Sequence, residues 1–226
     1  MLDFKIVGPL SSQVISTLII VFVLSVIFII VGLKVSKLKP TDTPKGLVLV
    51  VVMFVEMVKN LIGEHLEGKK LQLFGPYLLS ILVFLMFANT IALFGLRAPL
   101  SNAGIAFSFS LMTLFILRFT DLKYKGPVKK IKNIVVGHVW WMFPIMIPIN
   151  LIGEVSSPLT MGIRLFGNMV SGAVISAMVY AVLNAFMGIF AGVFLHAVFD
   201  IFFGVVQAFV FFMLSMVNIS MAADAS

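Results

Sequence analysis

Cysteine is absent from the 226 residues, which excludes disulfides, thiol nucleophiles and thiolate-held metals. Three histidines are too few for a histidine-built metal centre, so no metal and no cofactor is expected. Charge is scarce too. Asp, Glu, Lys and Arg make up 11% of the chain, against about 25% in a soluble globule. Neither an HExxH-like nor a GxSxG motif occurs, so a hydrolase with its own active site is not indicated. What fills the sequence instead is apolar: 61% hydrophobic residues and a mean hydropathy of +1.17. That composition predicts an all-α polytopic membrane protein.

The formal net charge of +7 could suggest nucleic acid, but the distribution argues for a bilayer. Lys34, Lys37, Lys39, Lys45, Lys59, Lys69 and Lys70 form one basic cluster. Arg118, Lys123, Lys125, Lys129, Lys130 and Lys132 form a second. Both flank apolar segments, which is positive-inside patterning, and no nucleic-acid partner is expected.

A spanning helix needs about 20 mostly apolar residues, so the charge-free gaps mark the candidates. The first span is expected at 12–33, too long an apolar run for a cleavable signal peptide. Residues 45–68 carry only ten apolar residues before Glu56, too few to cross. They read as a helix or hairpin on the basic surface, with His65 solvated in its charged end. Gaps at 71–96 and 101–117 are two further spans joined by a turn at Arg97-Ala98-Pro99. With three crossings, both basic clusters fall on the cytoplasmic side, and the N-terminus and the Arg97 turn lie outside. The stretch 133–186 would reach about 80 Å if helical and contains Pro144, Pro148 and Pro158. It either crosses twice or forms a lead-in feeding one long tilted helix, with His138, Trp140 and Trp141 near an interface. Residues 188–221 form the last long helix. The whole chain, 1–226, reads as a single membrane domain of five crossing helices and one surface helix.

Ionisable groups inside a bilayer cost at least a few kcal/mol, and here they are few: Glu154, Arg164 and Asp200, with His138 and His196 as weaker members. Arg164 has apolar neighbours and cannot shed its charge. A fixed salt bridge or a snorkelling arginine is the plain alternative. Glu154 lies ten residues away in sequence, about 15 Å along a helix, so it is no local partner. Asn168 follows Arg164 by four residues and Ser171 by seven, which places all three on one helical face. On the last helix His196, Asp200, Gly204 and Gln207 step by four, four and three, a polar and small stripe among Phe and Val. A packing histidine is the plain reading of His196. A lone intramembrane carboxylate such as Asp200 either binds a cation or titrates. Together the two stripes outline a polar ion path containing one permanent positive charge.

The segment Gly162-Ile-Arg164-Leu-Phe-Gly-Asn168-Met resembles subunit a of the F-type ATP synthase, the membrane stator, in its bacterial form. Pro148-Ile-Asn150-Leu-Ile-Gly-Glu154-Val-Ser-Ser-Pro158 is similar to that family's lead-in to its essential arginine. The last helix around Gln207 and the run Phe87-Ala-Asn89-Thr90 agree as well. The resemblance implies that the last two long helices form a tilted hairpin against a rotating ring of c subunits. It also places the second helix at the cytoplasmic surface, and implies a peripheral-stalk subunit b and the rest of the ATP synthase complex as partners, with lipid around them. Arg164 matches the essential arginine and Asn168 the polar residue one turn on. Gln207 matches the glutamine of the last helix, and Glu154 an acidic position on the cytoplasmic side. One departure stands out. The enterobacterial pattern has Glu nine residues after the arginine and His seven before the glutamine, where this chain has Ala173 and Asp200.

The implied function is a non-catalytic stator, with two half-channels carrying H⁺ or Na⁺ to and from the ring and coupling that flow to ATP synthesis or hydrolysis. The implied ion-translocation residues are Arg164, Asp200, Asn168, Gln207, Glu154, His196, Ser171 and Asn89. The implied location is the bacterial plasma membrane, multi-pass, with a cytoplasmic C-terminus. The run His196-Ala-Val-Phe-Asp200 is similar to sodium-translocating members from anaerobic bacteria. A secondary ion-coupled transporter or channel is the rival on composition alone, although no inverted repeat of the kind such proteins carry is found.

Overall fold

The computed structural model describes residues 11–38, 44–94, 96–136, 143–183 and 185–223. No strand occurs among them. The helices are α1 (Ser12–Ser36), α2 (Leu47–Gly63), α3 (Gly68–Thr90), α4 (Ala103–Val136), α5 (Phe143–Val182), α6 (Ala185–His196) and α7 (Gly204–Ala223). A π-helical segment, Ala197–Phe203, joins α6 to α7, and 3₁₀ turns cover Ile91–Phe94 and Pro99–Ser101. Five stretches are long and apolar enough to cross a membrane: Ser12–Ser36, Gly68–Phe94, Ala103–Tyr124, Leu159–Val182 and Met187–Ala223. The chain is all-helical with five such helices, the class its composition predicts.

Element ends differ from the charge gaps where charges neutralise one another. The crossing expected at 101–117 continues past Arg118, because the Arg118 guanidinium donates to the Asp121 carboxylate one turn on, at 3.3 Å. With that pair formed, the helix carries both charges and its apolar span extends to Tyr124. Of the stretch 133–186, which left two readings open, residues Phe143–Val182 form a single helix with Pro144, Pro148 and Pro158 inside it. Proline is tolerated within membrane helices because neighbours re-satisfy the freed carbonyl. His138, Trp140 and Trp141 lie outside the described residues.

The core sits around α3, whose Leu78, Leu82 and Leu85 are buried, and against α7 through Phe211, Phe212 and Met216. A tight turn after α2 brings the chain back into α3 through Gly68 at φ +56°, a left-handed conformation that glycine adopts without strain. His65, in that turn, is not solvated as expected. Its carbonyl accepts from the Ser220 hydroxyl at 2.8 Å, and its Nδ1 is buried, because the end of α7 folds over it. At the other extreme, α1 buries only Ser16, Ile20 and Leu24. Most of the rest of its circumference is apolar and exposed, Phe22 and Ile29 among it, as a lipid-facing helix requires.

Candidate functional site: the polar face between the last two long helices

Helix α5 packs against α4 through a small-residue notch. A Cβ on Gly162 would stand 2.8 Å from the Phe107 ring, so glycine permits the close approach. Met161 and Leu165 turn into the core from the same side. Helical geometry then forces Arg164 and Asn168 outward, and both are exposed, with Ser171 on the same face. Apolar Leu159, Ile163 and Ile175 surround them. Among the described residues no carboxylate lies within salt-bridge distance of the Arg164 guanidinium. An unpaired guanidinium on the outer face of an apolar helix is costly in lipid.

The two long helical units run antiparallel. Asn168 Nδ2 donates to Gln207 Oε1 at 3.0 Å, Gly172 lies beneath Phe199, and Tyr180 reaches His196. Partner numbers fall along the last helical unit as α5 numbers rise, so this is a hairpin. Its register sets Ala173 beside the depth of Asp200. Gln207 is 6% exposed and its amide oxygen is taken by Asn168. It therefore orients the polar residue one turn from Arg164, while no hydrogen bond joins Gln207 to Arg164 itself.

Further along, His196 Nδ1 lies 2.6 Å from Asp200 Oδ2. His196 precedes the π-helical segment and Asp200 lies inside it; its wider i→i+5 turn is a frequent mark of functional sites. The even step of four, four and three read from an α-helical sequence is therefore broken here. His196 and Asp200 pair with each other, whereas Gly204 and Gln207 turn inward and are buried. Asn89 of α3 completes the inner wall. Its Nδ2 donates to the Gly204 carbonyl at 2.7 Å, and its Oδ1 is buried without a hydrogen-bond partner. A Cβ at Gly204 would meet the Asn89 Cβ at 2.8 Å.

Of the residues singled out in the sequence, the structure gathers Asn168 with Gln207, His196 with Asp200, and Asn89 with Gly204. Arg164 and Ser171 stand on the exposed face beside them. The Glu154 side chain lies outside the described residues. Sequence reasoning does not reach Tyr180, whose hydroxyl is 3.4 Å from His196 Nε2, nor Gly192 beneath it. A tyrosine near the end of an apolar helix reads as an interfacial aromatic.

A family described as ATP synthase A chain matches residues 14–220. Among similar proteins, ATP synthase subunit a 2 of Chlorobaculum tepidum is 27% identical over 203 residues, covering 86% of this chain. This chain spans only 58% of the length of that relative. ATP synthase subunit a of Sulfurihydrogenibium sp. is 31% identical over 170 residues, covering 75% of this chain and 78% of the relative. The subunit a of Psychromonas ingrahamii is 27% identical over 220 residues, with 89% and 81% covered. A match across nearly the whole length, on a bundle with five helices fit to cross a bilayer, means that the chain is a multi-pass membrane protein belonging to the ATP synthase A chain family.

Proposed function

We propose that the chain is the stator of a rotary F-type ATP synthase, with half-channels that pass an ion to and from a ring of c subunits. The observation that carries this reading is Arg164: a permanent cation on an exposed apolar face, with no anionic partner among the described residues. A ring carboxylate arriving at that face would supply the missing charge. Arg164 attracts a carboxylate that has just released its ion and repels a free cation, so stepping is allowed and leakage is blocked. Asn168, held by Gln207, keeps the next turn of α5 polar for the ring to pass. Each elementary charge falling through 100 mV releases about 2.3 kcal/mol, so several ions are carried per ATP. Glu154 and Ser171 belong to the cytoplasmic and ring-facing parts of this path, and Asn89 to its inner wall. The basic loops face the cytoplasm, and subunit b of the peripheral stalk holds the chain against rotation.

The reading is tested with the complete ATP synthase in membrane vesicles. Arg164→Ala is expected to abolish ATP-driven ion pumping, at least a hundredfold below the parent complex, and to leave a passive leak. Arg164→Lys is expected to fail as well, because a lysine lacks the broad guanidinium fork and sheds its proton when desolvated. Normal coupling in either variant, with the complex assembled, overturns the stator assignment.

A further inference from the structure

We infer that the groove between α2 and α3 is a binding site for one anionic phospholipid, its phosphate held at Lys59 and an acyl chain running down to Leu79. The inference is independent of the stator reading and needs only a chain that lies in a bilayer.

The groove is a cavity of about 520 Å³. Val58 and Ile62, both buried, line it from α2, and Leu71 and Gly75 line it from α3. The two helices are joined by a tight turn, so distance from that turn orders the lining. Lys59 stands four residues before the end of α2 and Gln72 four residues after the start of α3, with Gly68 at the turn itself. Val55, Pro76 and Leu79 lie farther along. One end of the groove is therefore polar and the other apolar. The polar end marks a membrane surface, because the apolar stretch Gly68–Phe94 begins there. From Gly68 to Leu79 the helix rises by eleven residues, about 16 Å. One leaflet of hydrocarbon is about 15 Å thick, so the groove has the reach of an acyl chain below its headgroup.

The sign of the headgroup follows from Lys59. Among the described residues no carboxylate lies within salt-bridge distance of its ammonium, and the Gln72 amide makes no hydrogen bond. Both side chains are exposed and both offer N–H donors, which phosphate oxygens accept. Acidic groups are kept off this side of α2, since Glu56 and Glu64 lie with Asn60 on a separate face. In the turn, Glu67 and Lys69 cancel in formal charge, and the Lys70 ammonium lies over the Tyr124 ring of α4. Lys59 is thus the charge that faces the groove. A protein helix laid in the same place would have to carry an anion at this one depth, whereas an anionic phospholipid brings anion and chain together. Gly75 gives the groove its depth. A Cβ there would meet only Leu71 Cδ1, at 3.6 Å, so a larger side chain at this position grows into the cavity.

The test uses the assembled ATP synthase complex in phosphatidylcholine vesicles doped with a photoreactive phospholipid that carries a diazirine on one acyl chain. Illumination is followed by peptide mapping of the labelled residues. A phosphatidylglycerol probe is expected to label the groove walls, 55–62 and 71–79, about fivefold more than a phosphatidylcholine probe with the same chains. That ratio is the worth of one lysine beside an anionic headgroup. Lys59→Gln is expected to bring the two probes level, and Lys59→Arg to keep the preference. Gly75→Leu is expected to cut labelling of the groove by both probes, while the lipid-facing side of α1, at Phe22 and Ile29, stays at the parental level. Equal labelling by the two probes in the parent complex overturns the site, as does a preference that survives Lys59→Gln. A groove left unlabelled beside a labelled α1 means that a helix of another subunit fills it, and overturns the site as well. Should Gly75→Leu fail to assemble, the two Lys59 variants decide alone.

Discussion

Gln207 is buried and spends its amide oxygen on Asn168, so Gln207→Ala removes one neutral hydrogen bond and leaves every charge in place. Pumping is expected to slow about twofold to tenfold and to remain coupled. Ratios of ion flux to ATP hydrolysis in vesicles check this, and an uncoupled complex would show that Gln207 governs Arg164 directly. Asp200 carries more. With Ala173 at its depth on α5, no second carboxylate is available there, and Asp200→Ala is expected to stop ion access from outside while Asp200→Glu keeps much of the rate. The double change Ala173→Glu with Asp200→His moves the acid to the facing helix and is expected to recover part of the flux. An Asp200→Ala complex with full pumping would place the outer path elsewhere. These residues are legible in the sequence because a charge or amide inside an apolar run has few ordinary explanations. Tyr180 and Gly192 are not, since tyrosines and glycines are common in membrane helices for reasons of packing. Only the 2.6 Å that a Cβ would leave to the hydroxyl gives them a shared meaning.

Helices meet here through notches, one of which joins α3 to α7. With a virtual Cβ of Gly204 2.8 Å from the Asn89 Cβ, Gly204→Val is expected to push the two helices apart and break the Asn89 bond to the 204 carbonyl. Overpacking of this kind costs about 1–3 kcal/mol, which thermal inactivation of the detergent-solubilised complex would register as a lower midpoint. An unchanged midpoint would mean that the notch is slack. The π-helical segment Ala197–Phe203 makes a second testable element. Deleting Val198 would remove the residue that the wider turn absorbs, restoring α-helical winding and bringing Asp200 from four to three residues after His196. Membrane insertion is then expected to be normal and transport slowed, since the His196–Asp200 pair is re-spaced while Gln207 still faces Asn168. Normal transport in that deletion would mean the wider turn carries nothing. The crossing helices are readable from charge gaps, because each contains an 18-residue stretch with no more than two charges. Their ends are not, as Arg118 shows: paired with Asp121 at 3.3 Å, it lies within a helix that a bare count of charges stops short of it. A widened turn leaves no trace in a run of Phe, Val and Ile.

The molecule as a whole offers a natural experiment in topology, because it contains no cysteine. A single introduced thiol is its own reporter. Leu96→Cys in the turn before α4 and Lys69→Cys at the start of α3, both exposed, are expected to react with an impermeant maleimide from opposite sides of the membrane. The first reacts from outside and the second only in inverted vesicles. Labelling of both from one side would overturn the proposed orientation. The outer face of α5 has a further consequence, one of mechanics. Within two turns of Arg164 on the same face, α5 exposes Asn168 and Ser171, short side chains that offer few knobs for a neighbour's holes. Against a moving partner, such a surface behaves as a plain bearing. Interlocking side chains would deepen each resting position and raise the friction between them, whereas a shallow track lets one strong electrostatic detent, at the arginine, set the stops. Ser171→Trp is therefore expected to leave the complex assembled yet slow its turnover severalfold, the loss of a machine that has gained grip where it needs to slide.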